Sequence, residues 1–124
     1  MLDHVGFAVS DYGRSKAFYE KALAPLGLTI LLEPQEQAAG FGEDGKAIFW
    51  IEAQGRAVKG RLHVAFTARD RDTVDAFHVA ALAAGATDNG APGVREMYHP
   101  HYYGAYVLDP DGHNIEAVCH VPAY

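Results

Sequence analysis

The chain has 124 residues, 49% of them hydrophobic, and a formal net charge of −6 at pH 7. These values are ordinary for a globular protein of one domain, and the acidic balance argues against a nucleic-acid or anionic-membrane partner. No apolar run approaches the roughly 20 residues that a membrane-spanning helix needs. A strand pattern at the N-terminus leaves no room for a signal peptide, and the single Cys119 cannot form an internal disulfide. We therefore expect a cytoplasmic protein.

The first half of the sequence is repeated in the second half, and each copy begins with a histidine. The tetrapeptide HVGF at 4–7 matches HVAF at 63–66, and the similarity continues into the segment that follows each. A repeat this long in a chain this short indicates two copies of one module. Two like modules packed about a pseudo-twofold axis would bring His4 and His63 to equivalent positions. The repeat therefore predicts a site.

The first module is predicted to have the element order βαβββ. Asp11 is the predicted N-cap of its helix, which should end near Pro25 and Gly27. The strands are predicted from runs of alternating or apolar residues that end at turn signals. The predicted strands of this module are 2–9, 28–33, 37–42 and 47–53. The polar, glycine-containing stretch 55–60 is the predicted linker to the second module.

The second module is predicted to repeat the same order. Asp70 is the predicted N-cap of a helix that runs to about Ala84. The sequence DPDG at 109–112 predicts a hairpin turn, because proline and glycine stand where a tight turn needs them. The predicted strands are 61–67, 87–90, 102–108 and 114–120, with a loop over 91–101. The predicted organisation is a single domain, 1–124, made of module one (1–54), the linker (55–60) and module two (61–124).

With two histidine-led strands and the DPDG hairpin, the chain resembles the vicinal oxygen chelate superfamily, which includes glyoxalase I, fosfomycin-resistance thiol transferases, extradiol dioxygenases and bleomycin-resistance proteins. The resemblance extends over essentially the whole chain. It implies an α+β fold in which two βαβββ modules, in pseudo-twofold arrangement, form a cup-shaped mixed β-sheet with the helices outside. It also implies metal ligands on the first strand of each module and after the DPDG turn, at His4, His63 and Glu116.

Two imidazoles and one carboxylate are a ligand set for one divalent metal per site, and Fe(II), Mn(II) or Zn(II), with Ni(II) as a further alternative, all suit it. Such a set leaves coordination positions open, so a substrate can chelate the metal through two neighbouring oxygens. Glu116 lies on an apolar strand, where a carboxylate is rarely buried without a partner. A metal would be such a partner.

The fourth ligand of glyoxalase I is a glutamate on the last strand of module one. Here Trp50 stands at that position, and Glu52 lies two residues further on the same strand face. Glu52 is a candidate fourth ligand or a solvated strand end. Trp50 is expected to form a wall of the substrate pocket, with core packing as the alternative.

Tyr106 favours the extradiol dioxygenases, whose pattern places a histidine and then a tyrosine before the hairpin and the ligand glutamate. His99 and His101 precede Tyr106 in this chain, and a histidine is a suitable acid or base near neutral pH. We therefore take Tyr106, His99 and His101 as candidate catalytic residues, with Tyr102 in the pocket. The alternative is an aromatic loop that closes the cup or forms an oligomer interface.

These residues predict a metal-dependent enzyme that acts on a small molecule chelated through two vicinal oxygens, either dioxygenase-like or lyase-like. The alternative is a metal-free protein of the bleomycin-resistance type that sequesters a ligand. A homodimer is expected in either case, because single-domain relatives complete or cover their sites across a twofold interface. The sequence does not decide whether His4 and Glu116 meet His63 of the same chain or of a second one.

Overall fold

The computed structural model of the protein describes residues 1–122 and contains two α-helices and eight β-strands. The helices are α1 (Tyr12–Leu23) and α2 (Arg71–Ala83). The strands are β1 (Val5–Ala8), β2 (Thr29–Leu32), β3 (Ala38–Glu43), β4 (Lys46–Glu52), β5 (His63–Thr67), β6 (Thr87–Val94), β7 (Tyr103–Leu108) and β8 (Asn114–Cys119). The order βαβββ occurs twice, which confirms the predicted α+β fold of two modules. Residues 123–124, the end of predicted module two, lie outside the described part.

Each module forms one mixed sheet of four strands. The strand orders are β1-β4-β3-β2 in module one and β5-β8-β7-β6 in module two. In both sheets the first strand runs parallel to the last one, and the remaining neighbours are antiparallel. The histidine-led strands β1 and β5 are therefore edge strands, and their outer edges are unpaired within residues 1–122.

Both helices begin where side-chain caps were predicted. Asp11 accepts a hydrogen bond from the Arg14 backbone nitrogen at 3.1 Å, and Asp70 accepts one from Thr73 at 2.8 Å. These bonds satisfy backbone donors that the first turn of a helix leaves free. After α1 the chain makes a short 3-10 turn and leaves it at Gly27, whose φ of 83° suits a residue without a Cβ.

The main error in the predicted elements is β6. The glycine- and proline-containing residues 91–94 were predicted as part of a loop, but they continue β6 to Val94. Irregular register between Asp88 and Gly93 lets the strand keep pairing with β7 despite those residues. At the other end of the fold, β1 begins at Val5, so His4 lies just before the strand and not within it.

The helix-facing sides of the two sheets contribute to one hydrophobic cluster. Phe49 of β4 and Phe66 of β5 pack edge to face, with ring centroids 5.2 Å apart. The buried Tyr19 hydroxyl on α1 donates a hydrogen bond to Asp109 in the DPDG turn of module two. Side chains on the opposite faces of the sheets, which include His63 and Glu116, do not belong to this cluster. Within the described residues neither helix is long and apolar enough to cross a membrane.

Candidate metal and substrate site

Two of the three predicted metal ligands meet on the face of the module two sheet that points away from the helices. Ala65 of β5 is the register partner of Glu116 in β8, and His63 lies two residues before Ala65 on the same face. His63 Nε2 donates to Glu116 Oε1 at 2.8 Å. The Glu116 residue is only 1% exposed, whereas the His63 side chain is 53% exposed. A buried carboxylate and a solvent-accessible imidazole thus share one contact.

Two tyrosines adjoin this pair. The Tyr102 hydroxyl donates a hydrogen bond to Oε2, the second carboxylate oxygen of Glu116. Tyr106 is the register partner of Glu116 on β7, and its ring centroid is 6.4 Å from that of His63. Burial, followed by the hydrogen bond to Glu116, holds the pKa of Tyr102 well above its usual range, and burial also raises the pKa of Tyr106. Both hydroxyls are therefore protonated near neutral pH and can donate hydrogen bonds.

His4 is oriented by a carboxylate on its own side of the molecule. Its Nδ1 lies 2.7 Å from Asp3 Oδ1, and the other oxygen of Asp3 lies 2.5 Å from Lys46 Nζ. Hydrogen bonding to Lys46, and then to His4, lowers the pKa of Asp3, so Asp3 is ionised and accepts the Nδ1 proton. With Nδ1 facing Asp3, Nε2 is the ring nitrogen left to face a ligand. This carboxylate–imidazole arrangement is the usual support of a metal-binding histidine.

By strand register, Trp50 in module one is equivalent in position to Glu116 in module two. Gly6, two residues after His4, pairs with Trp50, just as Ala65 pairs with Glu116. Glu52 lies two residues after Trp50 on β4 and is the register partner of Ala8 in β1. Trp50 and Glu52 line a cleft of about 290 Å³ together with His4 and Gly6. Trp50 therefore shares a cleft with His4, and its role as a pocket wall stays a prediction.

The three predicted ligands do not converge within one chain. Among residues 1–122 there is no group of three or more histidine, cysteine or acidic side chains placed to hold a metal ion. His4 and His63 both border a cleft of about 360 Å³, but its walls include core-side residues such as Phe49 and Phe66, and Glu116 does not line it. The triad remains a prediction, and the single chain presents it as two separate parts.

The predicted catalytic histidines differ in their surroundings. His99 stacks on His120, with ring centroids 4.7 Å apart and Nε2 of His99 2.5 Å from Nδ1 of His120. Tyr102 packs edge to face against both rings. His101 is exposed, and its backbone N–H donates to His99 Nδ1. Tyr102 thus contacts both His99 and Glu116 and links this histidine to the His63–Glu116 contact. The side chain of His101 has no partner among the described residues.

Two residues of this face were not predicted from the sequence. His120 follows β8 on the same strand parity as Glu116, and this alternation could have identified it. Arg95 lies with its guanidinium carbon 5.3 Å from the ring centroid of Tyr106. Nothing in the sequence pattern indicated Arg95, because its position depends on the unpredicted extension of β6.

Comparisons with known proteins agree with this fold. Residues 1–117 match the model of the Glyoxalase/Bleomycin resistance protein/Dioxygenase superfamily. A glyoxalase/bleomycin resistance protein from Albidiferax ferrireducens is 30% identical, with a TM-score of 0.82 over 98% of this chain and 99% of the other. No curated protein matches the chain.

More distant structures share the fold. A lactoylglutathione lyase from Agrobacterium tumefaciens is 19% identical, with a TM-score of 0.69 over 96% of this chain and 92% of its own. A variant of the fosfomycin resistance protein from Listeria monocytogenes, solved with Mn(II) and a dihydroxypropylphosphonic acid, is 20% identical, with a TM-score of 0.69 over 95% of this chain and 88% of its own.

Proposed function

Because the chain belongs to the Glyoxalase/Bleomycin resistance protein/Dioxygenase superfamily, we propose that it is a metal-dependent enzyme acting on a small molecule through two vicinal oxygens. The observation that carries this proposal is the contact of His63 Nε2 with the buried Glu116 carboxylate. Both groups are ligands for Fe(II), Mn(II), Zn(II) or Ni(II). His63 and Tyr102 compensate for part of the cost of burying this carboxylate, and a metal beside His63 would stabilise its charge further.

The third ligand in this proposal is His4 from a second copy of the chain. Asp3 orients His4 so that Nε2 is available as a ligand, yet His4 lies apart from Glu116 in its own chain. The unpaired outer edges of β1 and β5, each led by a ligand histidine, give a twofold partner a place to approach. A homodimer built in this way would have two equivalent sites, each with His4 from one chain and His63 and Glu116 from the other.

The chemistry supplied by a bound divalent metal is Lewis-acid polarisation of two neighbouring substrate oxygens. The protein's own contribution is to place proton donors beside them. Tyr106 lies beside Glu116 on the same sheet face, so its hydroxyl would donate to a substrate oxygen bound there. His99, hydrogen-bonded to His120, would act as an acid or base near neutral pH. The dioxygenase-like and lyase-like reactions both use these roles, and Tyr106 favours the former.

The experiment that tests the proposal is elemental analysis of untagged protein purified without chelator. We expect about one Fe, Mn, Zn or Ni per chain in the wild type and a large loss in Glu116→Gln, which keeps the side-chain volume but weakens the ligand. Glu20→Gln, an exposed substitution on α1, is the matched control and should retain the metal. Absence of metal in the wild type after anaerobic reconstitution would overturn the proposal.

A second candidate is a protein that sequesters a ligand without reacting with it. The observation that favours it is Trp50, whose indole borders an open cleft where module two instead has the ligand Glu116. A metal-free protein that binds an aromatic compound and quenches the fluorescence of Trp50, its only tryptophan, would support this alternative.

A further inference from the structure

Arg95 is placed on the candidate site by the end of β6. Its backbone N–H donates to the Tyr102 carbonyl at 2.7 Å, which fixes the chain directly after the strand. Its guanidinium carbon then lies 5.3 Å from the centroid of the Tyr106 ring. Because Tyr106 in turn faces His63 and Glu116, the positive charge lies on the same sheet face as the proposed metal ligands, with one aromatic ring between them.

Two glycines of β6 make room for this arrangement. A Cβ atom at Gly90 would lie 2.9 Å from Cδ1 of Tyr106 and 3.4 Å from Nη2 of Arg95. A Cβ atom at Gly93 would lie 2.9 Å from Nη1 of Arg95. Side chains at these positions would displace the guanidinium or the ring, so the local sequence accommodates both groups together.

The charge of Arg95 is not neutralised by the protein. Nη2 donates to the Ala91 carbonyl at 2.8 Å, and among residues 1–122 no carboxylate forms an ion pair with this guanidinium. Glu116, which lies next to Tyr106 on this face, is engaged by His63 and Tyr102. An arginine held on an aromatic ring with free donors is well suited to bind a carboxylate in a bidentate manner.

We propose that Arg95 is a specificity-determining residue that binds a carboxylate on the substrate. The substrate class is then a small anionic molecule with two vicinal oxygens at one end and a carboxylate at the other. This inference depends on the proposed function, because the vicinal oxygens are the part that meets the metal. The inference goes further in predicting that the substrate is negatively charged, which the metal ligands alone do not indicate.

A pair of matched probes tests the inference by binding and not by turnover. Isothermal calorimetry of the Mn(II)-loaded protein compares 3,4-dihydroxybenzoate with 3,4-dihydroxybenzamide, which have the same vicinal oxygens and nearly the same shape but differ in charge. We expect the benzoate to bind about tenfold more tightly or better, as charge-assisted hydrogen bonds allow. Arg95→Met should remove this preference without weakening benzamide binding, and Arg95→Lys should restore part of it.

Arg56→Gln, in the exposed linker, is the control and should keep the preference. Equal affinity of the wild type for the two probes, or a preference that persists in Arg95→Met, overturns the inference and leaves the proposed function intact. If neither probe binds wild-type protein that holds the metal, the inference is overturned, whereas the proposed function is overturned by failure of the wild type to take up metal at all.

Discussion

Glu116 is buried in an apolar strand with both carboxylate oxygens engaged. His63 contacts one oxygen and Tyr102 the other, and these contacts compensate for the loss of water around the charge. Since removal of one partner of a buried charge costs more than the contact itself is worth, the three side chains act as a unit. We therefore expect a substitution of any one of the three side chains to alter the contacts of the other two.

Tyr102→Phe removes the hydrogen bond to Glu116 while keeping the ring. A carboxylate ligand is held in place by its outer hydrogen-bond partners, whose loss typically costs about 10-fold to 100-fold in metal affinity. We expect Tyr102→Phe to weaken Mn(II) affinity by about tenfold, as measured by competition with a chelator. Tyr98→Phe, on the neighbouring ring 4.8 Å away, is the control, and equal affinities in the two variants would contradict this role of Tyr102.

At this scale the sequence predicts the ligand pair better than its surroundings. The resemblance to the superfamily, carried by the repeat and the DPDG hairpin, implies His63 and Glu116 as ligands, and the pairing of β5 with β8 brings the two side chains together. The contact of Tyr102 with Glu116 and the stacking of His99 on His120 depend on the conformation of residues 95–102. No periodic pattern in that segment predicts its path.

The two sheets have the same topology but different side chains on the face that carries the site. The register that pairs Ala65 with Glu116 pairs Gly6 with Trp50. In module one an indole therefore takes the position that the Glu116 carboxylate takes in module two. Under the proposed function this difference would give the two halves separate roles, with His63 and Glu116 of module two and His4 of module one as metal ligands and Trp50 as a pocket wall.

Trp50 lies flat on the backbone of β3 at Gly40, where a Cβ atom would come within 2.6 Å of indole Cζ2. Gly40→Ala should therefore displace the ring and cost about 1–3 kcal/mol of unfolding free energy. We expect the emission of this only tryptophan to shift to longer wavelength as the ring moves into water. Gly13→Ala, at an open position of α1, should leave the emission unchanged, and an unshifted spectrum in Gly40→Ala would refute the packing.

The elements themselves are largely predictable, and the exceptions have a physical cause. Asp11 and Asp70 identify the helix starts because few other side chains satisfy the free backbone donors there. β6 extends beyond its prediction because glycine and proline, which favour loops, are tolerated in a strand with irregular register. That extension places Arg95 on the site.

Across the whole molecule, a polar contact joins the DPDG turn of module two to module one. Asp111 accepts hydrogen bonds from the Ser10 backbone N–H at 3.0 Å and from its hydroxyl, and it lies 3.5 Å from Arg14 Nη2. Burial raises the pKa of Asp111, but the hydrogen bonds from Ser10, together with smaller effects of His113 and Arg14, outweigh burial, and the net pKa is lowered. Folding therefore favours the ionised carboxylate.

A lowered folded-state pKa contributes stability that is present above the unfolded value, about 3.9 for aspartate, and is lost as pH falls through the folded value. We expect Asp111→Asn to cost about 1 kcal/mol of unfolding free energy at pH 7. The gap from wild type should shrink as pH falls towards about 3. Urea unfolding at the two pH values measures this gap. Asp44→Asn, in the exposed β3–β4 turn, is the control, and a gap for Asp111→Asn that does not change with pH would contradict the contact.

In the proposed function, oligomeric assembly would complete the site, because among residues 1–122 His4 does not group with His63 and Glu116. Sequence repetition alone does not distinguish a site within one chain from a site between two chains. The pairing of modules depends on which apolar surfaces meet, and this is set by packing across the whole assembly and not by any local pattern.

The most direct test of a shared metal site is complementation between His4→Ala and His63→Ala, each of which should lose the metal when alone. After the two variants are unfolded together, refolded and supplied with metal, a shared site predicts recovery of about one metal per four chains, since half of randomly formed dimers are mixed and each mixed dimer has one intact site. Metal content in the mixture that stays at the level of the separate variants, with mixed dimers present, would contradict a site built from two chains.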